Sequence, residues 1–317
     1  MNEFEDLIKA LDAYISKADD DLTDKLNEEG YAKAAETVEN INALEDAIAE
    51  ILEEELEYYL GELEGVDLEN AVNNILPNLL AGDITDEKLA EVFKDIFDKA
   101  LRSLTDAYIK DIDKDLAFSM FSERTSDWIK SWSEELGKLM KLGSYEELQR
   151  ILSKGLEDGE SVQQVMENLM DSYGFSRKRA RATAITEMLT AHSVSSQEAY
   201  RQSPAVEKKM WRHTGAHKNK PRQNHVNMDG KKVDKNEPFE LLGADGETYH
   251  PDYPRDPILP PSERVNCHCI SQPIVSESIL GLSLEERRKL QQQAIDDDNA
   301  LWEAELDAKN KAKAGIE

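Results

Sequence analysis

The residues with special chemistry are confined to the last two fifths of this chain. All six histidines, both cysteines and nine of the ten prolines lie after residue 191, and the first 190 residues contain only Pro77. Proline interrupts helices and is frequent in turns. A proline-poor segment followed by a proline-rich one therefore indicates two different architectures with a domain boundary between them.

The charge is divided in a similar way. The chain has 38 basic and 66 acidic side chains, a net charge of −28. Residues 1–100 hold 29 acidic and 7 basic side chains, a net of −22, whereas residues 177–235 hold 14 basic and 5 acidic, a net of +9. Such an acidic chain is not one whose whole surface binds DNA or an anionic membrane. We therefore expect any contact with nucleic acid to be local.

Neither a membrane partner nor a disulfide framework is expected. No apolar run approaches the roughly 18–20 residues that span a bilayer. The first residues lack the basic start and the hydrophobic stretch of a signal peptide, so we expect a protein made in a cytoplasm. The two cysteines, Cys267 and Cys269, are too close in sequence to bridge each other easily.

The first 176 residues have the apolar periodicity of helices. Side chains recur at spacings of three and four along two stripes: Leu7, Ile8, Leu11, Tyr14 and Ile15, then Ala34, Val38, Ile41, Leu44, Ile48, Leu52 and Leu56. A long helical segment is predicted from about Asp86 to Leu142, with Gly143 closing it. Capping patterns predict new helices at Ser144–Glu147 and after Ser161.

The pattern changes after residue 176. A helix is predicted from the basic start at Arg177 to about Arg201, after which turn residues separate short candidate strands. These strands are Lys209–His213, Lys231–Val233, Phe239–Leu242 and Ile270–Val275. Ser283 begins a second capping box, and a terminal helix is predicted from Leu284 to about Lys311.

The predicted fold class is α+β. It has an acidic, long helical N-terminal region (1–176), a small β-containing module with long loops (177–276), and a C-terminal helix and tail (277–317).

Several short motifs follow one another between Arg181 and Ser271. In order they are Arg181-Ala-Thr-Ala-Ile-Thr-Glu187, Lys209-Met-Trp211, Pro221-Arg222-Gln-Asn-His225, Met228-Asp229-Gly230 and Val265-Asn266-Cys267-His268-Cys269. This part of the chain resembles the phage head morphogenesis family, the Mu F-like minor head proteins. Members show an Arg-Thr-Glu type motif, a Lys-x-Trp strand, an Arg-x-x-His or Cys-x-x-Cys step before an Asp-Gly turn, and a terminal Asn-Cys-x-Cys.

The resemblance implies a structural protein rather than an enzyme. It implies a minor head protein of a phage or prophage that acts in procapsid assembly near the portal vertex. The implied partners are the portal protein, capsid or scaffolding proteins and, locally, packaged or ejected DNA. The implied location is the procapsid or virion, assembled in the cytoplasm of the bacterial host.

Two positions depart from the family pattern. Ile185 stands where the family has an arginine, which would leave Arg181 as the partner of Glu187. Arg222 and His225 stand where other members have two cysteines.

The cysteines and histidines allow two interpretations. Cys267 and Cys269 could place both sulfurs on one zinc ion, with His225, His268 or His217 completing a tetrahedral shell. Alternatively, the cysteines are small core residues with His225 hydrogen-bonded beside them, and no cofactor is present. We favour the second, a structural cluster that ties the long loops to the module: His225, Asn266, Cys267, Cys269, Trp211, Asp229, Gly230 and Glu187.

A hydrolase is the alternative from a different functional class. His225, Asn266 and His268, together with the cysteines, are residue types that a metal-dependent nuclease uses to activate water and bind its ion.

Two surface features also have alternative interpretations. The basic patch (Arg177, Lys178, Arg179 and Arg181) would contact DNA phosphates or an acidic partner, or be a solvated first turn of a helix. The loop from Pro251 to Pro261 would be a docking arm or a rigid surface loop.

Overall fold

The computed structural model of the chain describes residues 20–214 and 221–315. After an initial helix at residues 20–28 come α1 (Ala34–Leu63), α2 (Leu68–Asn70), α3 (Leu76–Gly82), α4 (Thr85–Ile112), α5 (Glu123–Asp158), α6 (Val162–Met170), α7 (Arg177–Gln202), α8 (Gln223–Met228), α9 (Pro261–Arg264), α10 (Glu277–Leu280) and α11 (Leu284–Ala314). A π-helical turn (Ala71–Ile75) joins α2 to α3, and a 3₁₀ turn (Tyr173–Phe175) precedes α7. None of the helices in these described ranges is long and apolar enough to cross a membrane.

The described residues also contain five short strands. They are β1 (Val206–Arg212), β2 (Lys232–Asp234), β3 (Leu241–Leu242), β4 (Thr248–Tyr249) and β5 (Ile270–Val275). Three form an antiparallel sheet in the order β2-β1-β5, and β3 pairs with β4. The α+β fold class is confirmed, with a small sheet and a long C-terminal helix. The predicted strand at Ile270–Val275 has the observed bounds, whereas β3 is shorter than predicted and β4 was not predicted.

The chain divides into two compact units. The sheet unit consists of the described residues of Met1–Asn40, Lys99–Ser126 and Thr186–Glu317, and the helical unit consists of Ile41–Asp98 and Asp127–Ile185. The boundaries between them fall within α1, α4, α5 and α7. The division of the sequence at 176/177 and 276/277 stays a prediction.

The apolar stripe of α1 is buried as predicted. Ile41, Leu44, Ile48 and Leu52 have no exposed surface, and Leu56 is half-buried. The predicted stripe from Leu7 to Ile15 lies outside the described residues. A core cluster of the helical unit joins α1 to the later helices through Tyr59, Leu63, Leu68, Ala71, Leu76, Leu79, Leu148, Ile151, Leu152, Val165, Leu169 and Phe175.

The prediction of one helical segment from Asp86 to Leu142 is wrong. α4 ends at Ile112, and residues 113–122 form a connection before α5 begins. The apolar spacing misses this break because buried apolar side chains continue into it: Leu116, within the connection, shares a core cluster with Ile109.

The helix boundary predicted at Gly143 and Ser144 is also wrong, because α5 continues through both residues. Ser144 is buried, and its hydroxyl donates to the backbone carbonyl of Met140 at 3.2 Å. Serine inside a helix can bond the carbonyl four residues earlier, so the capping pattern alone does not distinguish a start from an interior position. Gly143 leaves room for Arg179, whose guanidinium would lie 3.0 Å from an added Cβ.

The other two capping predictions are confirmed. Ser161 accepts from the backbone of Gln164, and the Gln164 side chain accepts from the backbone N–H of Ser161. Ser283 and Glu286 make the same reciprocal pair at the start of α11. In both places the box begins a helix that carries buried apolar residues.

Glu55 is a buried acid within the helical unit. The Tyr59 hydroxyl lies 3.4 Å from its Oε1 and donates to Asp83 at 2.7 Å, while Oε2 has no hydrogen-bond partner. Burial raises the pKa of Glu55 from 4.5 to about 8, against the opposing effects of Ser144 and Arg179. The folded helical unit therefore favours the neutral acid.

This pKa predicts a pH-dependent effect of Glu55→Gln. Because the folded pKa lies above the unfolded value, the stabilisation from proton binding is complete below about pH 4.5 and is lost as pH rises toward 8. Relative to the glutamine variant, the natural chain should lose on the order of a few kcal/mol between pH 5 and pH 8. Urea unfolding of both chains at the two pH values measures this difference. An equal stability difference at pH 5 and pH 8 would contradict a raised pKa.

The sheet unit is built on a buried tryptophan. Trp211 has no exposed surface and packs edge-on against Phe239 at 5.3 Å between ring centroids. Its cluster consists of Trp211, Met228, Phe239, Leu241, Leu259, Cys267 and Cys269. The prediction that Trp211 is a core residue is confirmed.

Most of the loop from Pro251 to Pro261 is buried, so the prediction of a surface loop is wrong, and that of a docking arm stays a prediction. Tyr253, Arg255 and Leu259 are all buried, and Arg255 is 1% exposed. The backbone N–H of Phe239 donates to the Pro251 carbonyl at 2.8 Å, which joins the start of the loop to the segment before β3. The loop is therefore part of the core.

The predicted turn at Asp229-Gly230 is confirmed. The N–H of Lys231 donates to the carbonyl of Met228 at 2.9 Å, and Gly230 has φ +79°. Asp229, with φ −55° and ψ 128°, completes the backbone of a type II turn, which requires positive φ at its third residue.

Gly230→Val should destabilise the sheet unit. No atom would lie within 4 Å of an added Cβ, so the cost comes from the backbone conformation, about 1 kcal/mol or more for a β-branched residue. Thermal unfolding measures the loss. Gly230→Asn is the matched control, since asparagine tolerates the left-handed region better and should cost less. A valine variant with an unchanged melting temperature would refute the strain.

Candidate metal centre

His225, Cys267 and Cys269 meet in the core of the sheet unit. The Nδ1 atom of His225 lies 3.5 Å from the Cys267 sulfur and 3.7 Å from the Cys269 sulfur. All three side chains are buried, and their ligand atoms lie within 4.8 Å of one another. His225 is on α8, and the cysteines precede β5, so the fold closes a sequence separation of about forty residues.

His268 does not join this group. Its Nδ1 atom lies 2.7 Å from a carboxylate oxygen of Glu29. Alternate side chains of an extended segment point to opposite sides, so two cysteines on one side direct the residue between them to the other. The structure thus corrects His268 as a candidate ligand, and His217 lies outside the described residues.

A buried carboxylate orients the ring of His225. The Nε2 atom lies 2.8 Å from Glu263, which is 1% exposed. Glu263 also accepts from the Asn224 side chain and from the N–H of Ala244. The ring of Trp211 stands at 88° to that of His225 at 5.9 Å. These contacts direct Nδ1 toward the two sulfurs.

The three groups also change one another's acidity. Burial alone would lower the pKa of His225, but the Cys267 thiol and the Glu263 carboxylate raise it above its ordinary value. The hydrogen bond from Cys269 and the nearby His225 lower the pKa of Cys267, against the effect of burial. The same hydrogen bond and burial raise the pKa of Cys269. The site therefore favours a thiolate at Cys267, with the protonated thiol of Cys269 as the donor beside it.

His213 is a further donor that the sequence prediction missed. Its Nδ1 atom lies 3.5 Å from the Cys269 sulfur, and its side chain is half-buried. β1 pairs with β5 so that Trp211 faces Ser271. Extending this register by two residues places His213 opposite Cys269. The two predicted strands, paired antiparallel, could have revealed this neighbour.

Arg255 is the second residue that the prediction missed. Its guanidinium donates to the carbonyls of Cys267 at 2.7 Å and Cys269 at 2.8 Å, and to the Ser193 hydroxyl at 2.7 Å. It also lies 3.2 Å from the Tyr31 hydroxyl. Arg255 thus holds the backbone of the cysteine segment from inside the core.

The remaining cluster residues have separate positions. Asn266 is exposed and has φ +56°, a left-handed conformation that asparagine tolerates, immediately before Cys267. Glu187 is buried and accepts from the Arg264 guanidinium at 3.1 Å. Arg181 contacts Asn42 and Glu45 in the helical unit, and its expected pairing with Glu187 stays a prediction.

The basic patch at the start of α7 makes extensive contacts within the helical unit. Arg177 pairs with Glu45 and Asp46, and Arg181 also pairs with Glu45. The Arg179 guanidinium donates to the carbonyls of Gly174 and Met140 and to the Ser144 hydroxyl. Lys178 is exposed. Contact of this patch with DNA stays a prediction.

The residues of the hydrolase alternative have different surroundings. His225 is buried with both ring nitrogens engaged, Asn266 is exposed, and His268 faces Glu29. These three side chains therefore do not surround one position at which a reacting group could bind.

Comparisons with known proteins connect this architecture to a phage family. The family model described as "Phage Mu protein F like protein" matches residues 146–272, a range that contains His213, His225, Cys267 and Cys269. Protein YqbB of Bacillus subtilis (strain 168), described as uncharacterized, is 36% identical over 304 residues, which cover 93% of this chain and 99% of that protein. No solved structure matches the chain. The similarity thus extends well beyond the motifs between Arg181 and Ser271, and the chain belongs to the Phage Mu protein F like family.

Proposed function

We propose that this protein is a structural minor head protein that acts in procapsid assembly near the portal vertex. Membership of the Phage Mu protein F like family indicates a role in phage head morphogenesis and carries the proposal. Its partners would be the portal protein and capsid or scaffolding proteins, and its location the procapsid and virion.

The burial of the characteristic residues supports a structural role. The Trp211 ring, the His225 ring and both cysteines lie in or against one apolar cluster. Their hydrogen bonds connect α8, the Pro251–Pro261 loop and the segment before β5. Their arrangement is one that stabilises a module, and no catalytic step is part of the proposal.

Copurification during phage assembly tests this function. A tagged copy would be produced in cells assembling the phage, and procapsids would be separated by sedimentation before the associated proteins are identified. We expect the chain in procapsids together with the portal protein, and we expect it to be absent from heads made without the portal gene. An unrelated tagged protein of similar size is the control. Absence from procapsids of the complete phage would refute the proposal.

The hydrolase alternative has its own test. The purified chain would be incubated with DNA and Mg²⁺, Mn²⁺ or Zn²⁺, with His225→Ala as the comparison. We expect no cleavage above the level of the variant. Cleavage that His225→Ala abolishes, in a variant that remains folded, would favour the enzyme.

The proposal includes a local contact between this protein and DNA. Lys231 and Lys232 are exposed beside the confirmed turn, in the segment with a net charge of +9. Reversing both charges should weaken DNA binding and reduce its salt dependence, because each phosphate contact releases counterions. Reversal of the exposed Lys94 and Lys99, in the acidic half of the chain, is the matched control. Equal effects of the two double variants would contradict a local contact.

A further inference from the structure

We propose that His213, His225, Cys267 and Cys269 bind one structural zinc ion. The ion would join the end of β1 and helix α8 to the segment that leads into β5. This inference does not depend on the role in head assembly, since it concerns only donor atoms within the sheet unit.

Three nitrogen–sulfur distances in the cluster match the edges of a tetrahedral zinc shell. Zinc lies about 2.3 Å from thiolate sulfur and about 2.0–2.1 Å from imidazole nitrogen, so a tetrahedron has nitrogen–sulfur edges of about 3.6 Å. The observed nitrogen–sulfur distances are 3.5 Å for His225–Cys267, 3.7 Å for His225–Cys269 and 3.5 Å for His213–Cys269. The ligand atoms of His225, Cys267 and Cys269 lie within 4.8 Å of one another, and His213 approaches this group at Cys269.

The surroundings of His225 are those of a metal ligand. Ligating histidines commonly give their second ring N–H to a carboxylate, which fixes the tautomer and turns the free nitrogen toward the ion. Glu263 takes this position at 2.8 Å from Nε2, and Nδ1 faces both sulfurs. Glu263 is held in turn by Asn224 and Ala244.

Two hydrogen bonds, one from His213 and one from the next residue, fix the position of His213. Its backbone N–H donates to Asp229 at 2.9 Å, and the next hydroxyl, of Thr214, donates to the carbonyl of His268 at 2.7 Å. These bonds hold the His213 ring at the Cys269 sulfur, on the half-exposed edge of the cluster.

Charge and donor type favour zinc in this environment. Two thiolates and two neutral imidazoles around Zn²⁺ have no net charge, which suits a cluster lined by Met228, Phe239 and Leu259. Two sulfur and two nitrogen donors in a tetrahedron are typical of zinc, and a shell filled by protein ligands is typical of a structural site.

Metal analysis of the full chain is the first test. Protein purified from cells grown with zinc should contain one zinc ion per chain by elemental analysis. Replacement by Co²⁺ should give the visible absorption of a tetrahedral ion and a thiolate-to-cobalt charge-transfer band. A metal-free chain that also shows neither band after addition of Co²⁺ would overturn the proposal, leaving the cysteines and His225 as a hydrogen-bonded core.

Matched histidine variants then test the ligand set. His213→Gln should weaken zinc binding at least 10-fold in competition with a chromophoric chelator, and it should change the cobalt spectrum. His268→Gln, next to both cysteines but directed at Glu29, should leave affinity and spectrum unchanged. Glu263→Gln should weaken binding about 10- to 100-fold while it preserves tetrahedral cobalt.

These readouts separate ligation from folding. Circular dichroism first establishes that each variant is folded, and His213 is suited to this because its side chain is half-buried. Unchanged affinity in folded His213→Gln would overturn its assignment as the fourth ligand. Copurification with procapsids is measured separately, so a failure of the zinc site is distinguishable from a failure of the proposed function.

Discussion

Replacing Arg255 by leucine is expected to lower the free energy of unfolding of the sheet unit by about 4 kcal/mol or more. The fully buried guanidinium donates to two carbonyls and a hydroxyl, in the cysteine segment and at Ser193. Each buried polar group that loses its partner costs about 1–3 kcal/mol, and leucine offers none of them a donor. Urea unfolding followed by tryptophan fluorescence measures the loss, since Trp211 lies in the adjoining cluster.

Arg222→Leu is the matched control for this variant. The guanidinium of Arg222 also donates to a backbone carbonyl, that of Val265 at 2.7 Å, but the bond is exposed. Water can replace an exposed donor, so we expect a loss below about 1 kcal/mol. Equal losses in Arg255→Leu and Arg222→Leu would show that the buried arginine does not hold the cysteine segment.

Glu198→Leu is expected to destabilise the sheet unit by about 3–5 kcal/mol. Glu198 has no exposed surface, and its carboxylate accepts from the N–H of Ser122 at 2.6 Å and from the hydroxyls of Ser122 and Thr125. The side chain of Gln202 donates to it as well. Because Ser122 and Thr125 lie at the start of α5, the Glu198 carboxylate acts as the cap of that helix from a distant part of the chain. Leucine would leave all of them buried without an acceptor.

Glu198→Gln separates the loss of charge from the loss of acceptors. Glutamine keeps one of the two oxygens and nearly the same shape, so its cost should lie between those of the natural chain and Glu198→Leu. Chemical unfolding of the three chains under one condition gives this order. A leucine variant as stable as the glutamine variant would contradict the capping role.

Local patterns predicted those elements whose stabilising contacts are also local. The capping boxes at Ser161 and Ser283 were predictable because each contact joins residues three positions apart. β5 was predictable because Ile270–Val275 contains three β-branched residues and follows a turn-rich segment. The same local pattern failed at Ser144, where the bond to Met140 is equally short in sequence but lies inside a helix.

Long-range partners were not predictable from local patterns. Arg255 was read as part of an exposed loop, since nothing adjacent in sequence indicates that its guanidinium reaches Ser193, 62 residues away. The pair of Glu187 with Arg264 spans 77 residues for the same reason. His225 and the cysteines were grouped correctly because their residue types share a chemistry, whereas His213 required the pairing of β1 with β5.

The discontinuous sheet unit has a consequence for the order of events during protein synthesis. Arg287 of α11 pairs with Asp113, and Glu305 of the same helix pairs with Arg124, so contacts within this unit join residues from the middle and the end of the chain. The helical unit is complete in sequence at residue 185 and can fold while translation continues. The ion pairs of the segment 99–126 with α11 must wait for that helix to leave the ribosome. A ribosome that stalls before residue 284 therefore holds a chain in which His225 and both cysteines have been made but the contacts of α11 within the sheet unit cannot form.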